Sequence, residues 1–288
     1  MAPDKYSAIW VSHTSINDFL QCKRAYFLKH VYKSEKTGRK MKLMTPPLAL
    51  GQAVHEVIEE ISKLHVHDRF KEIPMNRFEK IWKKVSGKKG GFLDIDTEDK
   101  YKREGREMIA RVTKNPGPIS RKAVKIKESL PNYWLSEEEN IILCGKVDWL
   151  EYLEDKNGVN IIDFKTGSAN ESKDSLQLPI YLLLVANTQK WDVMGASYWY
   201  IRNSNDPVKQ KLPDMQTAYE KVLSVAKEIK AIRSLGKFDC EFGGCRYCTP
   251  MERLYRGEGE FVYVDEYRTD VFVLPIKKNE DAGESEIL

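Results

Sequence analysis

Apolar residues recur at helical spacing over residues 15–32, where Ile16, Phe19, Leu20, Phe27 and Val31 form one stripe, predicting an N-terminal helix with a core-facing side. A second amphipathic helix is predicted over 48–64. A helical region follows over 74–113, interrupted by the Gly/Lys-rich stretch 86–91. The sheet is expected to begin after Asn115-Pro116-Gly117-Pro118. Residues 123–128 and 141–153 read as strands, and the turn Asp155-Lys156-Asn157-Gly158 leads into a strand through Ile161-Ile162-Asp163-Phe164. A helix opening near Ser172 or Ser175, a strand over 192–202 and a long helix over 214–235 complete an α/β pattern. Residues 1–276 are expected to form one domain with a helical insertion over about 68–118, and the acidic, Gly/Ser-containing residues 277–288 a disordered tail.

Two predicted strands carry charges that an apolar environment does not explain. In Asp163-Phe164-Lys165 the charged residues are two apart and project from one face of a strand whose approach, Ile161-Ile162, is apolar. Symmetric pairings across the turn match residues whose numbers total 311, 313 or 315. Each puts Asp148, in Gly145-Lys146-Val147-Asp148, on the face of Asp163 and Lys165, and only the first sets it opposite Asp163. A one-residue slip would send it to the other face. Carboxylates so grouped suit Mg²⁺ or Mn²⁺, hard ions that polarise a phosphate oxygen and lower the pKa of a bound water. A neighbouring lysine can position that water or offset charge developing on the phosphorane. The bland alternative is a surface hairpin with ordinary charges.

Further motifs stand in order around this pair. Gly51-Gln52-Ala53-Val54-His55 lies on the helix predicted over 48–64, with Glu59 one turn after His55, and Gln177 and Tyr181 are one turn apart downstream. The series Gly51…His55, Gly145…Asp148, Asp163…Gly167 and Gln177…Tyr181 resembles the RecB-type branch of the PD-(D/E)XK nucleases, over roughly residues 12–256. The resemblance implies a restriction-endonuclease-like core, a mixed central sheet flanked by helices. It also implies that His55, Asp148, Asp163 and the backbone carbonyl of Phe164 bind metal, that Lys165 is the catalytic lysine, and that Gln177 and Tyr181 support the site or touch DNA. Glu128 falls where many relatives carry an acidic residue, against the alternative of a solvated strand-end glutamate. Glu59 is expected to buttress His55. His13, His30, His65 and His67 match no motif and read as ordinary histidines.

Five cysteines add a second layer: Cys22, Cys144, Cys240, Cys245 and Cys248. No signal peptide and no apolar run long enough to span a bilayer is visible, so a reducing cytoplasm is expected, where disulfides are disfavoured. The spacing Cys240-x4-Cys245-x2-Cys248 then points to a metal, with Cys22 as a candidate fourth ligand. It matches the leading part of a plant-type [2Fe–2S] pattern, and four thiolates equally suit Zn²⁺. The chain also resembles the iron–sulfur branch of these nucleases, which includes CRISPR-associated adaptation nucleases, the AddB nuclease domain and phage RecB-like exonucleases. That resemblance favours a [4Fe–4S] cluster joining the N- and C-terminal parts. One departure is Leu254, which stands where the last cysteine would fall, while Cys240 substitutes from upstream. Cys144, within a predicted strand, reads as a packed thiol.

The formal net charge of +4 says little about nucleic acid, but its distribution says more. Residues 71–127 hold seventeen Lys/Arg against eight Asp/Glu, interleaved with Trp82, Phe92 and Tyr101. They read either as a wall of a DNA channel with stacking aromatics or as ordinary charged helix faces. No Gly-x-x-x-x-Gly-Lys-Ser/Thr is present, so a motor–nuclease fusion is not expected. The sequence thus points to a metal-dependent deoxyribonuclease, by resemblance an exonuclease on DNA ends or single strands. It would serve recombination, repair, phage replication or CRISPR adaptation, with DNA and recombination or CRISPR-adaptation proteins as implied partners and no membrane. A catalytically silent DNA-binding scaffold, or a thiolate-metal protein for redox sensing or docking, are the alternatives.

Overall fold

The computed structural model describes residues 4–275, so the expected acidic tail lies outside the described residues. From the N-terminus, strand β1 (Ile9–Val11) leads into helices α1 (His13–Gln21) and α2 (Lys23–Tyr26), the latter continuing as a π-helical turn over Phe27–Val31. Ser12 caps α1 through a reciprocal bond with Ser15. The single helix expected over 15–32 is therefore broken, and the break is Cys22, whose backbone is extended (φ −170°, ψ 118°). Strand β2 (Met41–Leu43) precedes α3 (Pro46–Ser62), which opens on prolines where the first helical amides need no partner. The expected insertion consists of α4 (Pro74–Trp82) and α5 (Ile95–Lys114), separated by a 3₁₀ turn at Gly87–Gly90. Asp94 caps α5 by accepting the Thr97 amide at 2.7 Å.

The sheet strands follow as β3 (Ala123–Val124), β4 (Asn132–Ser136), β5 (Ile141–Cys144), β6 (Trp149–Leu153) and β7 (Gly158–Phe164). After α6 (Gln177–Thr188) come β8 (Asp192–Trp199), β9 (Val208–Gln210), α7 (Met215–Leu235), α8 (Thr249–Tyr255), β10 (Glu260–Val264) and β11 (Asp270–Val273). Among the described residues they form not one sheet but three. A mixed five-stranded sheet has the order β3-β6-β7-β8-β9, and two three-stranded sheets are β1-β5-β4 and β10-β11-β2. Two of these sheets recruit β1 and β2, strands upstream of where the sheet was expected to begin. The stretch 141–153 is two strands in different sheets. The β4–β5 pairing ends with the Gly145 amide donating to Pro131 O at 3.0 Å, and residues 146–148 carry the chain across to β6. The strand expected over 123–128 shrinks to two residues.

Period-two alternation along the five-stranded sheet divides the core in two. Trp149, Ile162, Phe164 and Trp199 face α3, α4 and α5. Leu150, Val159, Ile161 and Ala196 face α1, α6 and α7. The helical layers thus cover both faces, and loops at the end of β7 lie between them. Trp82 and Phe92, expected as candidate stacking platforms, are 1 % and 3 % exposed and pack on each other at 5.6 Å. Tyr101 closes on Phe92 at 6.0 Å. Trp82 and Phe92 are core residues because they occupy inner faces of this segment, with Tyr101 half-buried against them, and several of the segment's cations already pair with Glu60, Glu72 and Glu79. No helix among the described residues is long and apolar enough to cross a membrane.

Helix α5 approaches α3 closely at Gly105, where an added Cβ would lie 2.4 Å from the Phe78 ring and 3.1 Å from Leu50. Alanine is the better helix former by about 1 kcal/mol, but overpacking costs about 1–3 kcal/mol. Gly105→Ala is therefore expected to lower the melting temperature. An unchanged or higher value would mean that Phe78 yields freely.

Candidate active site

The β6–β7 hairpin pairs Trp149 with Ile162, Leu150 with Ile161 and Leu153 with Gly158, the register totalling 311. Continued by one residue, it sets Asp148 opposite Asp163. There β6 has not yet begun, and the Asp148 carboxylate takes over its pairing role: Oδ2 accepts the Phe164 amide at 3.0 Å. Asp163, 3 % exposed, projects beside it, and Lys165 Nζ lies 3.1 Å from Asp163 Oδ2. Helix α3 brings the imidazole. At Gly51 an added Cβ would sit 3.3 Å from Thr166 Oγ1, so the absent side chain lets the helix lie against the Asp-x-Lys-Thr-Gly segment. One turn on, His55 Nδ1 stands 3.3 Å from Asp148 Oδ1.

From the opposite layer, α6 supplies a clamp. Gln177 Nε2 donates to Asp163 Oδ1 at 2.8 Å and to the Tyr181 hydroxyl at 3.1 Å, while its Oε1 accepts from Lys165 Nζ. The amide is thereby oriented, its donor toward the carboxylate and its acceptor toward the ammonium. Four residues apart on one helix, Gln177 and Tyr181 must reach the same point.

The electrostatics show groups held in tension. Burial pushes the Asp163 carboxyl up to about 7, reinforced by the Asp148 charge. Burial also opposes charge on Asp148, but the His55 imidazole and the Phe164 amide outweigh it and hold that carboxyl below its ordinary range. At His55 desolvation pulls downward, yet Asp148 wins and the pKa is pushed up to about 9. The His55 side chain is 35 % exposed, so solvent screens part of this pair. Asp163 Oδ2 is buried and accepts no aligned hydrogen bond, although the Lys165 ammonium is near. That open lone pair, with the Asp148 oxygens and the imidazole, is a donor set that a divalent cation could take.

The remaining sequence candidates separate. Glu59, expected to buttress His55, pairs instead with Lys146 (2.5 Å) and Lys63 (3.3 Å). Glu128 is exposed and lines, with Lys125, Lys127, Lys146, Glu59 and Tyr267, a cleft of about 520 Å³ that reaches Asp148. Two neighbours were missed. Glu171 lies 2.7 Å from Lys165 Nζ, and His13 meets the edge of the Tyr181 ring at 6.4 Å between centroids. Burial and then Lys165 push the His13 pKa down. Neither belongs to a motif, Glu171 sitting in an aperiodic polar loop and His13 opening a helix, so only the fold reveals them. His30, in contrast, pairs with Asp18 at 2.8 Å.

Cys22, Cys240, Cys245 and Cys248 converge, their sulfurs all within 4.8 Å of one another, an arrangement that could hold a metal or cluster. Cys144 is apart from them, buried at the end of β5, where burial pushes its thiol up to about 11.

The pattern of the PD-(D/E)XK nuclease superfamily matches residues 10–252. The chain belongs to that superfamily. A search of curated proteins gave no significant match. The superfamily's members are generally metal-dependent nucleases. The matched span includes both the carboxylate site and all four converging cysteines.

Because the folded-state pKa of Asp163 is raised, its contribution to stability is fully present below the ordinary value of 3.8 and is lost as pH rises through about 7. Asp163→Asn removes that titration. Its melting temperature is expected to gain on the parent's steadily across this window in metal-free buffer. Parallel pH profiles would contradict a buried, like-charged Asp163.

Proposed function

We propose that the protein is a divalent-metal-dependent deoxyribonuclease acting on DNA ends or single strands. The observation that carries this reading is the convergence of His55, Asp148, Asp163 and Lys165 at the end of β7, from three separate chain segments. His55, Asp148, Asp163 and the Phe164 carbonyl would hold Mg²⁺ or Mn²⁺. Such an ion, when bound, polarises the scissile phosphate and lowers the pKa of a water.

The chain's own residues do the rest. Lys165, held by Asp163, Gln177 and Glu171, keeps its ammonium beside the carboxylates, where it can orient the attacking water and meet negative charge developing on phosphorus. The water oxygen forms the new P–O bond, its proton passes to solvent, and the departing sugar oxygen is protonated in turn. Gln177 fixes the spacing of acid and lysine, and Tyr181 holds Gln177. Lys125 and Lys127, on the wall of the cleft that reaches Asp148, supply phosphate contacts. A role in recombination, repair, phage replication or CRISPR adaptation fits an enzyme of DNA ends.

End-labelled single- and double-stranded DNA should be cleaved only with Mg²⁺ or Mn²⁺, and Asp163→Ala and Lys165→Ala should each reduce the rate by at least about 100-fold. Folded protein that cuts no end structure would favour a binding scaffold. Cation binding must also displace the His55 proton, whose pKa is about 9, and that of Asp163, at about 7. The rise in melting temperature caused by saturating Mn²⁺ is therefore expected to grow as pH climbs from below 7 toward 9. A pH-independent rise would remove His55 and Asp163 from the ligand set.

A further inference from the structure

The cysteine cluster is built by three local devices. The extended backbone at Cys22 ends α1 and places its buried thiol at the start of α2. Gly243 (φ +65°) and Gly244 (φ +153°) fold the loop between Cys240 and Cys245, with Gly243 N bonding Cys240 O at 3.0 Å. Cys245-Arg246-Tyr247-Cys248 then forms a tight knuckle. Cys245 N donates to Cys248 Sγ at 3.2 Å, and the amides of Tyr247 and Cys248 in turn favour a thiolate at Cys245. Backbone N–H groups aimed at sulfur are the arrangement expected where thiolates share a cation.

The sulfur spacing discriminates between occupants. A single tetrahedral ion with metal–sulfur bonds of about 2.3 Å requires sulfurs about 3.8 Å apart. Cys245 and Cys248 Sγ are 3.7 Å apart, and no pair among the four exceeds 4.8 Å. An iron–sulfur cluster of two or four irons carries thiolates on the outer sides of different irons, so its own width is added to the separations across it. Neither a [2Fe–2S] cluster nor the [4Fe–4S] group that the resemblance implies therefore fits this site. The departure in sequence agrees: Leu254, at the position of the missing cysteine, is 4 % exposed and packs with Leu28, Met41 and Met251, away from the sulfurs.

We infer that Cys22, Cys240, Cys245 and Cys248 together hold one tetrahedral zinc ion rather than an iron–sulfur cluster. This rests on the cysteines being a metal site and is independent of the nuclease reading. All four thiols give up their protons on binding the ion. Zinc is preferred to a single ferrous ion because a given ligand set binds Zn²⁺ more tightly. The ion ties α1 and α2 to the opening of α8, adding to the Arg24–Glu252 pair between the same elements.

The test is metal and acid-labile sulfide analysis of full-length protein purified anaerobically from cells supplied with both iron and zinc. One zinc per chain, no sulfide and no broad visible absorption are expected. Cobalt(II) titrated into metal-stripped protein should give the visible bands of tetrahedral cobalt–thiolate, saturating at one equivalent, with Cys144→Ser unaffected and Cys22→Ser or Cys240→Ser losing them. Iron in place of zinc, with or without sulfide, or protein that binds neither, overturns the inference. The metal count needs no variant, so a Cys→Ser protein that fails to fold does not blunt it. Cleavage sensitive to Asp163→Ala reports on the nuclease reading separately.

Discussion

The hydrogen bond from the Phe164 amide to the Asp148 carboxylate holds the rest of the site in register. Strand β6 begins only at Trp149, and without a partner the end of β7 would present an unpaired amide in a buried place. A side chain replaces the missing strand residue, so the carboxylate that closes the ladder is also the one beside Asp163. Strand parity then admits one arrangement, with Asp148, Asp163 and Lys165 at the same edge, the imidazole arriving from α3 on one side and the Gln177 amide from α6 on the other.

That arrangement costs stability. Two carboxylates in a buried edge cannot both be comfortably ionised, and the cluster settles by splitting their roles. Asp148 stays charged against His55, while Asp163 is pushed toward neutrality. Lys165 offsets part of the strain and is itself shared with Glu171. Buried Ile161 and Ile162, facing opposite helical layers, supply the rigid strand on which this unfavourable end is carried.

Helix α1 runs from the candidate carboxylate site to the cysteine group. It opens with His13 at the Tyr181 ring and ends at Cys22, nine residues spanning about 13 Å. Its ends are fixed by the Ser12–Ser15 capping box and by the extended backbone of Cys22, and Ile16 and Phe19 pack it into the core between them.

Much of this was legible in the sequence. Period-two alternation and the turn at 155–158 defined the hairpin, the one-turn spacings of Gly51…His55 and Gln177…Tyr181 put their side chains on single helix faces, and the family's order of motifs named the candidates. Those are local properties, dictated by backbone periodicity within one element. Tertiary structure alone chose among the three registers, broke 141–153 into strands of different sheets, and split the first helix at Cys22. It turned Trp82 and Phe92 into core, paired Glu59 with Lys146, and brought Glu171 and His13 to Lys165 and Tyr181. Each of these outcomes depends on which surfaces different elements bury against one another, and that is set by packing between residues far apart in the chain rather than by the pattern within any one of them.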